Sequence, residues 1–523
     1  MRHSRPIQIY GKALQRPPKV DGRPAPELRK RVGQTTVGVH HECGWLGGRR
    51  FRFLNEEREI VTWNDPGTPK LWLYSLHYQH GVTSELMEWW RAENPPAGGN
   101  GWEPYPLSQR IGSWIRWVTD GGELSGPLRQ SLATQVRYLR GEIEWHLQGN
   151  HLLVNGKALL QAGLLFEGTP ESPRVSQLPC PGREGAVPVP RLVLNGAEAE
   201  QWRRQGADIV QAALHDQILP DGGHVERSPM YQALLLEDVL ELVNTHRAFG
   251  AESTALEKVA GRMWGWLEQM THADGEIAFF NDATTGVAPT LCALAGFAQR
   301  LGIEKERRPL AESGFVRLEA EGILALVDVG SVGPSYQPAH AHAGTLGLEV
   351  SSGKRRLIVN SGISTYEKNS QRQWERGTAA HSTVLVDGLD SSEVCDQFRV
   401  ARRAKVVERS TDGRNWVTAA HDGYLRVGVK HRRKVSVLPG TVLVMDDLAG
   451  RGRHRVEVLF HLGPGQNGQV VELDARLRRE ERKGEYHRQF GLSEEIVTVA
   501  GVWEGILPVE FECAVRSQDP AAD

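Results

Sequence analysis

Long apolar runs and cysteine are both scarce in this chain of 523 residues. No stretch stays apolar for long enough to span a bilayer, and the N-terminus carries positive charge without the apolar run that a signal peptide needs. The 5 cysteines are odd in number and scattered, which is typical of a reducing compartment and not of a disulfide framework. We therefore expect a cytoplasmic protein without a membrane span, or a periplasmic one if the true start lies elsewhere.

An excess of charge of either sign is also missing. The sequence has 62 Lys and Arg residues against 64 Asp and Glu residues, and no basic block stands out. This balance gives no indication of nucleic acid as a partner. Tryptophan, in contrast, is abundant with 15 copies. Flat aromatic rings suit the stacking of sugars, but amphipathic helices also use tryptophan as core, and composition leaves both interpretations open.

Apolar periodicity divides the chain into two parts, as expected for a length beyond that of a single core. From about residue 65 to 310, apolar residues recur at three and four, which predicts a helical bundle, toroid or solenoid. After about residue 313 the period changes to two in short segments rich in Val and Leu. This pattern predicts an all-β domain, most simply a sandwich of antiparallel sheets.

The expected organisation is an N-terminal extension (1–60), a helical domain (61–312) and a β-domain (313–523). A segment rich in Pro and Gly, 168–190, cannot be helical and is predicted to be a long surface loop. The clearest helical repeats are 128–147, 152–166, 231–243 and 256–270, and the clearest strands are 322–330, 345–350, 356–359, 383–386, 435–438 and 441–445.

The most informative stretch is 338–344, with the sequence PAHAHAG. We expect it to open a strand, on which His340 and His342 at i and i+2 would project from the same face. His381 and Asn360, both beside predicted strands, could complete the group. Imidazole is a preferred zinc donor and an amide oxygen is a poor but possible one, so a Zn²⁺ site is one interpretation. Histidines that are simply hydrogen-bonded in a sandwich core are the other.

Two further motifs lie in the helical half. Asn150 and His151 follow a glycine, and Asn150 lies where a helix N-cap would be. A plain cap followed by a packed histidine is the alternative to a functional pair. Ser228 as N-cap and Pro229 as the first helical residue mark a helix start, which places Tyr231 in the first turn. The partial positive charge of a helix N-terminus favours an anion and should ease ionisation of the Tyr231 phenol.

Taken together, these motifs resemble the heparinase II/III-like polysaccharide lyases, a group with heparinase III-type and oligoalginate lyase-type enzymes. The resemblance covers roughly residues 50 to 460 and implies an N-terminal (α/α) toroid followed by a C-terminal antiparallel β-sandwich. It also implies β-elimination at a uronic acid of an acidic polysaccharide or oligosaccharide, without an organic cofactor. The matching pieces, in the order of the family, are Asn150-His151, Ser228-Pro-Met-Tyr231, His340-Ala-His342, Asn360-Ser-Gly362 and Ala380-His381-Ser-Thr-Val384.

The resemblance implies a catalytic role for four of these residues. Asn150 would neutralise the C6 carboxylate of the uronic acid, so that the C5 proton becomes acidic, and His151 would assist. Tyr231 would be the proton-transfer phenol. His340 would be its partner, either as a base or as a second group that neutralises the carboxylate.

A structural Zn²⁺ held by His342, Asn360 and His381 is also implied. Asn360 stands where the family often has Asp, so that a neutral ligand would replace an anionic one. The segment 362–403 is similar to family members associated with bacterial exopolysaccharide or lipopolysaccharide production. Its arginines could contact an acidic glycan, although a solvated surface position is the expectation for any one of them: Arg372, Arg376, Arg399 and Arg402.

Two other functions fit the same sequence. One is an inverting glycoside hydrolase on a toroid fold, which needs two carboxylates spaced to admit a water. The available carboxylates near predicted loops are Asp221, Glu226, Asp274 and Asp282. The other is a non-catalytic glycan-binding or assembly protein in polysaccharide biosynthesis. The joint presence of Asn150, Tyr231 and His340 argues against it, because binding alone does not require these three residues.

Overall fold

The computed structural model describes residues 20–167 and 197–517, so the predicted loop at 168–190 lies outside the described residues. The chain forms two compact units. The first contains the residues up to Gln217 together with Glu237–Lys258 and Phe297–Ile303. The second contains Ile218–Leu236, Val259–Gly296 and the residues from Glu304 onward. No helix in the described ranges is both long enough and apolar enough to cross a membrane.

The helices follow the apolar repeats of the sequence, and several begin at capping residues. Thr83 accepts a hydrogen bond from Leu86 N at 3.2 Å, and Ser125 accepts one from Leu128 N at 3.2 Å. In chain order the helices are α1 (Lys70–Tyr78), α2 (Ser84–Glu93), α3 (Pro104–Thr119), α4 (Gly126–Gly141), α5 (Gly149–Leu165), α6 (Glu198–Gln217), α7 (Pro229–Ala248), α8 (Thr254–Gln269), α9 (Leu291–Arg300) and α10 (Ser370–Arg376).

Helix α5 forms the centre of the first unit. Every residue from Leu152 to Leu165 is buried, and most of them are apolar, so this helix has no side that faces solvent. It packs against α3, α4 and α6. A Cβ atom at Gly206 of α6 would lie 2.3 Å from the backbone N of Leu160. Glycine is therefore required where α6 meets α5.

The strands of the second unit form two antiparallel sheets over one core. The six-stranded sheet has the order β10-β11-β12-β13-β18-β15, and the eight-stranded sheet has the order β16-β17-β14-β6-β5-β4-β3 with β7 paired to β14. Their bounds are β3 (Phe315–Ala320), β4 (Ile323–Asp328), β5 (Leu348–Ser352), β6 (Arg355–Val359), β7 (Val384–Val386), β10 (Val406–Thr411), β11 (Trp416–His421), β12 (Val429–Leu438), β13 (Thr441–Gly450), β14 (Arg453–Leu462), β15 (Val471–Glu472), β16 (Arg478–Tyr486), β17 (Glu494–Ile506) and β18 (Val509–Arg516). The second unit also has a small pair of strands, β8 (Val394–Cys395) with β9 (Arg399–Val400), and the first unit has another, β1 (Arg50–Phe53) with β2 (Glu56–Glu59).

Side chains from both sheets share this buried core. Leu318 and Val350 come from the eight-stranded sheet, and Val435 and Val444 come from the six-stranded sheet. Two apolar faces packed in this way make a sandwich. The predicted order of helices followed by an antiparallel β-sandwich is therefore confirmed.

One predicted strand is absent. Residues 338–347 form turns and irregular backbone, so the argument that His340 and His342 share one face of a strand was wrong. Asn281 and Asp282 hold the segment instead. Asn281 Oδ1 accepts a hydrogen bond from His342 N at 3.1 Å, and Asp282 N donates to His340 O at 3.0 Å. These bonds fix the positions of both histidines without a sheet ladder.

Candidate active site

The helix start at Tyr231 has the predicted form. Helix α7 begins at Pro229, and Ser228 Oγ accepts a hydrogen bond from Tyr231 N at 3.2 Å. The same hydroxyl donates to the carbonyl oxygen of Asp282 at 2.6 Å. One serine therefore caps the helix and ties its first turn, including Tyr231, to the residues around Asp282.

The Tyr231 side chain is enclosed, and only 7% of the residue is exposed. Its ring centroid lies 4.0 Å from that of His340, and its hydroxyl lies 3.1 Å from the Tyr366 hydroxyl. Burial, together with the nearby Tyr366 and Asp282 groups, raises the pKa of Tyr231 well above its ordinary value. The expectation that the helix N-terminus eases its ionisation was wrong, because desolvation outweighs the helix dipole. Tyr231 thus keeps its proton at neutral pH and can donate it.

Asp282 organises the group around Tyr231. It is 0% exposed, and its two carboxylate oxygens accept four N–H groups. Oδ1 accepts from His342 Nε2 at 2.8 Å and from Arg372 Nη1 at 2.5 Å, while Oδ2 accepts from His340 Nδ1 at 2.8 Å and from Arg372 Nη2 at 2.7 Å. Burial alone would raise the pKa of Asp282, but the Arg372 charge and the histidine hydrogen bonds hold it well below its usual range. Asp282 is therefore an ionised carboxylate.

This ionised carboxylate fixes the proton positions on two histidines. A carboxylate without a proton only accepts hydrogen bonds, so His340 carries a proton on Nδ1 and His342 carries one on Nε2. In the neutral ring the other nitrogen then has a lone pair. For His340 that nitrogen is Nε2, on the ring that packs against Tyr231. A proton acceptor and a proton donor thus lie side by side.

His342 and His381 form a second pair. His381 Nδ1 donates to Gly377 O at 2.8 Å, which leaves a lone pair on its Nε2, 3.2 Å from His342 Nδ1. Burial lowers the pKa of His342 to about 4, and burial together with His342 lowers that of His381 to about 3. Two lone pairs therefore face each other at neutral pH, an arrangement that a cation would stabilise. Two nitrogen ligands of a tetrahedral zinc site with bonds of about 2.0 Å are about 3.3 Å apart.

Asn360 is the third predicted metal ligand. Its Nδ2 donates to Glu349 Oε1 at 3.4 Å, and its backbone N donates to the same oxygen at 3.3 Å. Its Oδ1 is buried and accepts no hydrogen bond from any described residue. A buried acceptor whose amide is oriented by a carboxylate fits the role of a ligand oxygen. Within the described ranges no three His, Cys, Asp or Glu side chains form a metal-binding group, so a site here depends on the amide.

Asn150 and His151 lie in the first compact unit, whereas the other predicted site residues lie in the second. The prediction that Asn150 is an N-cap was wrong. Helix α5 starts one residue earlier, and the preceding Gln148 has a positive φ of 53°. Asn150 is buried in the first turn. His151 Nδ1 lies 3.2 Å from Glu144 Oε2, and its ring centroid lies 4.3 Å from that of Tyr105.

Sequence reasoning missed or misjudged three side chains near this site. It assigns no role to Tyr366, and it expects Arg372 and Arg376 at the surface, which is wrong. Arg372 is 1% exposed, because its guanidinium binds Asp282 and lies 4.9 Å from the Tyr366 ring centroid. Arg376 is 0% exposed. Asn369 caps α10, and this cap, with the two arginines at i and i+4 on one helix face, is the signal that could have revealed the inward face.

The helical region and the antiparallel sandwich, together with a contact between Tyr231 at a helix start and His340 in an irregular segment, place this chain in the toroid-plus-sandwich class. The model of the heparinase II/III-like C-terminal region matches residues 303–502, and the model of the heparinase II/III N-terminus matches residues 194–291. Together they cover more than half of the chain. The chain therefore belongs to the heparinase II/III-like family.

Curated relatives and solved structures agree with this family. FtsZ-localized protein C of Caulobacter vibrioides is 26% identical over 62% of this chain and 60% of its own length. Heparin-sulfate lyase of Bacteroides stercoris is 21% identical over 61% of this chain and 46% of its own length. The chain thus matches less than two thirds of either relative. A crystal structure of heparinase III has a TM-score of 0.65 at 14% identity and covers 89% of this chain and 80% of that chain, which supports the toroid and sandwich fold.

Proposed function

We propose that this protein is a polysaccharide lyase that cleaves a uronic-acid-containing glycan by β-elimination. The observation that carries the proposal is the contact between Tyr231, which keeps its proton, and His340, whose tautomer is set by Asp282. β-Elimination needs a base for the C5 proton and an acid for the departing C4 oxygen. Family membership supports the same class, since one relative is named a heparin-sulfate lyase.

In the proposed reaction His340 Nε2 takes the C5 proton. The electrons of the C5–H bond form the C4–C5 double bond, and the C4–O bond breaks. Tyr231 gives its hydroxyl proton to the departing oxygen. One product chain then ends in an unsaturated uronate and the other in a new hydroxyl. Proton transfer from the His340 imidazolium to the Tyr231 phenolate, whose rings are in contact, restores both groups.

Removal of the C5 proton places additional negative charge on the C6 carboxylate of the sugar, and a hydrogen-bond donor must stabilise that charge. The family resemblance assigns this role to Asn150, whose side-chain amide carries two N–H donors. His151 would assist as a second polar group from the same first turn of α5. These two assignments rest on the sequence motif. With them, the elimination has a base, an acid and a group that neutralises the carboxylate.

We further propose that His342, His381 and Asn360 hold a structural Zn²⁺. The facing lone pairs of the two histidines and the unbonded amide oxygen of Asn360 support this proposal. A bound ion would supply positive charge to these donors and keep the proton of His342 on Nε2, directed at Asp282. The proposed chemistry itself is carried by the side chains of the protein.

The proposed substrate is an acidic bacterial polysaccharide, of the exopolysaccharide or lipopolysaccharide type, handled in the cytoplasm. The assay follows the rise in ultraviolet absorbance of the unsaturated uronate on a panel of acidic polysaccharides. Tyr231→Phe should abolish the rise and leave glycan binding intact, because only the hydroxyl is lost. Tyr424→Phe is the matched control, since it removes a buried hydroxyl that donates to Val384 O at 2.7 Å in the sandwich core. Equal rates in the Tyr231→Phe variant and the wild type would contradict the proposal.

Hydrolysis fits the structure less well than elimination. Asp274 binds Arg356 at 2.7 Å, Asp221 accepts a hydrogen bond from the Ser313 backbone at 2.7 Å, and Asp282 is held by four donors. An inverting hydrolase needs one carboxylate to activate water and another to protonate the leaving group. These three are already bound within the protein, and Glu226 alone cannot supply both roles. Release of reducing sugar without any unsaturated product would favour the hydrolase instead.

A non-catalytic glycan-binding or assembly protein is the second candidate. It is favoured by the 26% identity to a protein named for its localisation with FtsZ. Tyr231→Phe separates the two candidates. The only activity of a binding protein is its affinity for the glycan, and the variant would retain that affinity. A lyase would retain affinity and lose turnover.

A further inference from the structure

Asn281 and Asp282 connect the start of helix α7 to the segment that carries His340. The backbone of Asp282 supplies one hydrogen bond to each side: its carbonyl oxygen accepts from Ser228 Oγ at 2.6 Å, and its N–H donates to His340 O at 3.0 Å. The side chain of Asn281 supplies a second bond to each side. Because Tyr231 lies in the first turn of α7, these two neighbouring residues join the proposed acid to the proposed base.

The side-chain amide of Asn281 binds two backbone groups. Its Nδ2 donates to Arg227 O at 2.8 Å, directly before the helix start, and its Oδ1 accepts from His342 N at 3.1 Å. A backbone carbonyl only accepts and a backbone N–H only donates, so these partners determine which way the amide points. Asn281 is buried. An asparagine is therefore used here for both its donor and its acceptor.

The backbone at Asn281 makes a clean substitution available. Its φ is 58°, in the left-handed region that glycine enters freely, asparagine with little difficulty and most other residues rarely. Asn281→Gly therefore removes the two side-chain bonds and keeps the backbone conformation, whereas Asn281→Ala removes the bonds and also strains the backbone. The glycine variant isolates the effect of the side chain.

We propose that Asn281 is a positioning residue that keeps the Tyr231 ring in contact with the His340 ring. Its two bonds fix the start of α7 relative to the histidine segment, and the two rings, whose centroids are 4.0 Å apart, belong to these two pieces of the chain. A displacement of about 1 Å in a reacting group can lower a rate about 100-fold. This inference rests on the proposed function, in which the two side chains are acid and base.

Fluorine NMR tests the contact without any glycan. Fluorotyrosine incorporated at position 231 gives a resonance that responds to the neighbouring His340 ring, and its position after His340→Ala marks the loss of the contact. We expect Asn281→Gly to move the wild-type resonance toward that mark. Asn244→Ala is the matched control, because Asn244 is also buried and binds the backbone N and O of Thr36 at 3.1 and 2.8 Å. An unchanged resonance in Asn281→Gly, or an equal movement in Asn244→Ala, would overturn the inference.

Turnover gives a second measurement, on an acidic polysaccharide that the wild type cleaves. We expect kcat of Asn281→Gly to fall about 100-fold and KM to stay within about twofold, because the reacting groups are displaced and no substrate contact is lost. Asn244→Ala should keep the wild-type kcat. A rise in KM at unchanged kcat would overturn the inference and indicate a contact with substrate. If the wild type cleaves no polysaccharide, the proposed function fails, whereas the fluorine resonance still decides whether Asn281 holds the two rings together.

Discussion

Asp282→Asn should damage stability and catalysis together, and the two effects can be separated. The substitution keeps one oxygen and replaces the other by an amino group. Whichever way the amide points, N–H donors of Arg372 and of one histidine then face another donor. The buried guanidinium of Arg372 also loses its anion. Breaking a buried ion pair by removing one partner costs about 3–5 kcal/mol, and we expect a loss of that size in the free energy of unfolding.

The sandwich core contains a matched control. Asp446 is 1% exposed, and its carboxylate accepts from His431 Nε2 at 2.7 Å and from Arg433 Nε and Nη2 at 2.8 and 2.9 Å. Asp446→Asn therefore removes the same kind of Asp–Arg–His interaction from the same compact unit. We expect a similar loss of about 3–5 kcal/mol in urea-induced unfolding followed by tryptophan fluorescence.

The two variants should differ in turnover. Asp282 holds the proton on His340 Nδ1, and without an ionised carboxylate there the proposed base loses its fixed tautomer and orientation. General acid–base catalysis contributes about 10²- to 10⁴-fold, so kcat of Asp282→Asn should fall within that range below that of Asp446→Asn. The rates are measured from the absorbance of the unsaturated product under conditions where both variants are folded. Turnover equal to that of Asp446→Asn would refute the role of Asp282 in orienting His340.

Two further predictions concern charge. Burial would raise the pKa of Glu237, but His41, which lies 2.5 Å away, and Arg116 lower it to about 2. Because the pKa of Glu237 is lower in the folded state than in the unfolded state, its ionised form stabilises the fold above about pH 4.5, and this stabilisation is lost as the pH falls toward 2. Between pH 7 and pH 3, the free energy of unfolding measured in urea should therefore fall by about 2 kcal/mol less in Glu237→Gln than in the wild type. Asn360→Asp should retain more Zn²⁺ per protein after dialysis against a chelator, because an anionic oxygen replaces a neutral ligand; equal metal content measured by mass spectrometry would contradict the assignment of Asn360 as a ligand.

The fold could be predicted from the sequence wherever one face of an element is apolar. The strand predicted at 435–438 begins at Val429 in the structure. The apolar pattern does not reveal its first part, because residues 429–434 contain mostly charged side chains. In the structure His431 and Arg433 point into the sandwich. Arg433 pairs in register with Asp446 on the neighbouring strand and binds its carboxylate. An apolar pattern cannot reveal an inward charge that a neighbouring strand neutralises.

The same limit explains what the sequence could and could not predict at the site. The position of Tyr231 in a first helical turn is predictable, because Ser228 and Pro229 form a local signal for a helix start. The position of Asp282 is not local, since its histidine partners lie 58 and 60 residues further along the chain. The i, i+2 spacing of His340 and His342 places both side chains against Asp282, although no strand forms. Both rings bind the carboxylate of Asp282. The His340 ring then packs beside Tyr231, whereas the second ring nitrogen of His342 faces His381. A single buried anion can thus set the tautomers of a proposed base and of a proposed metal ligand at once.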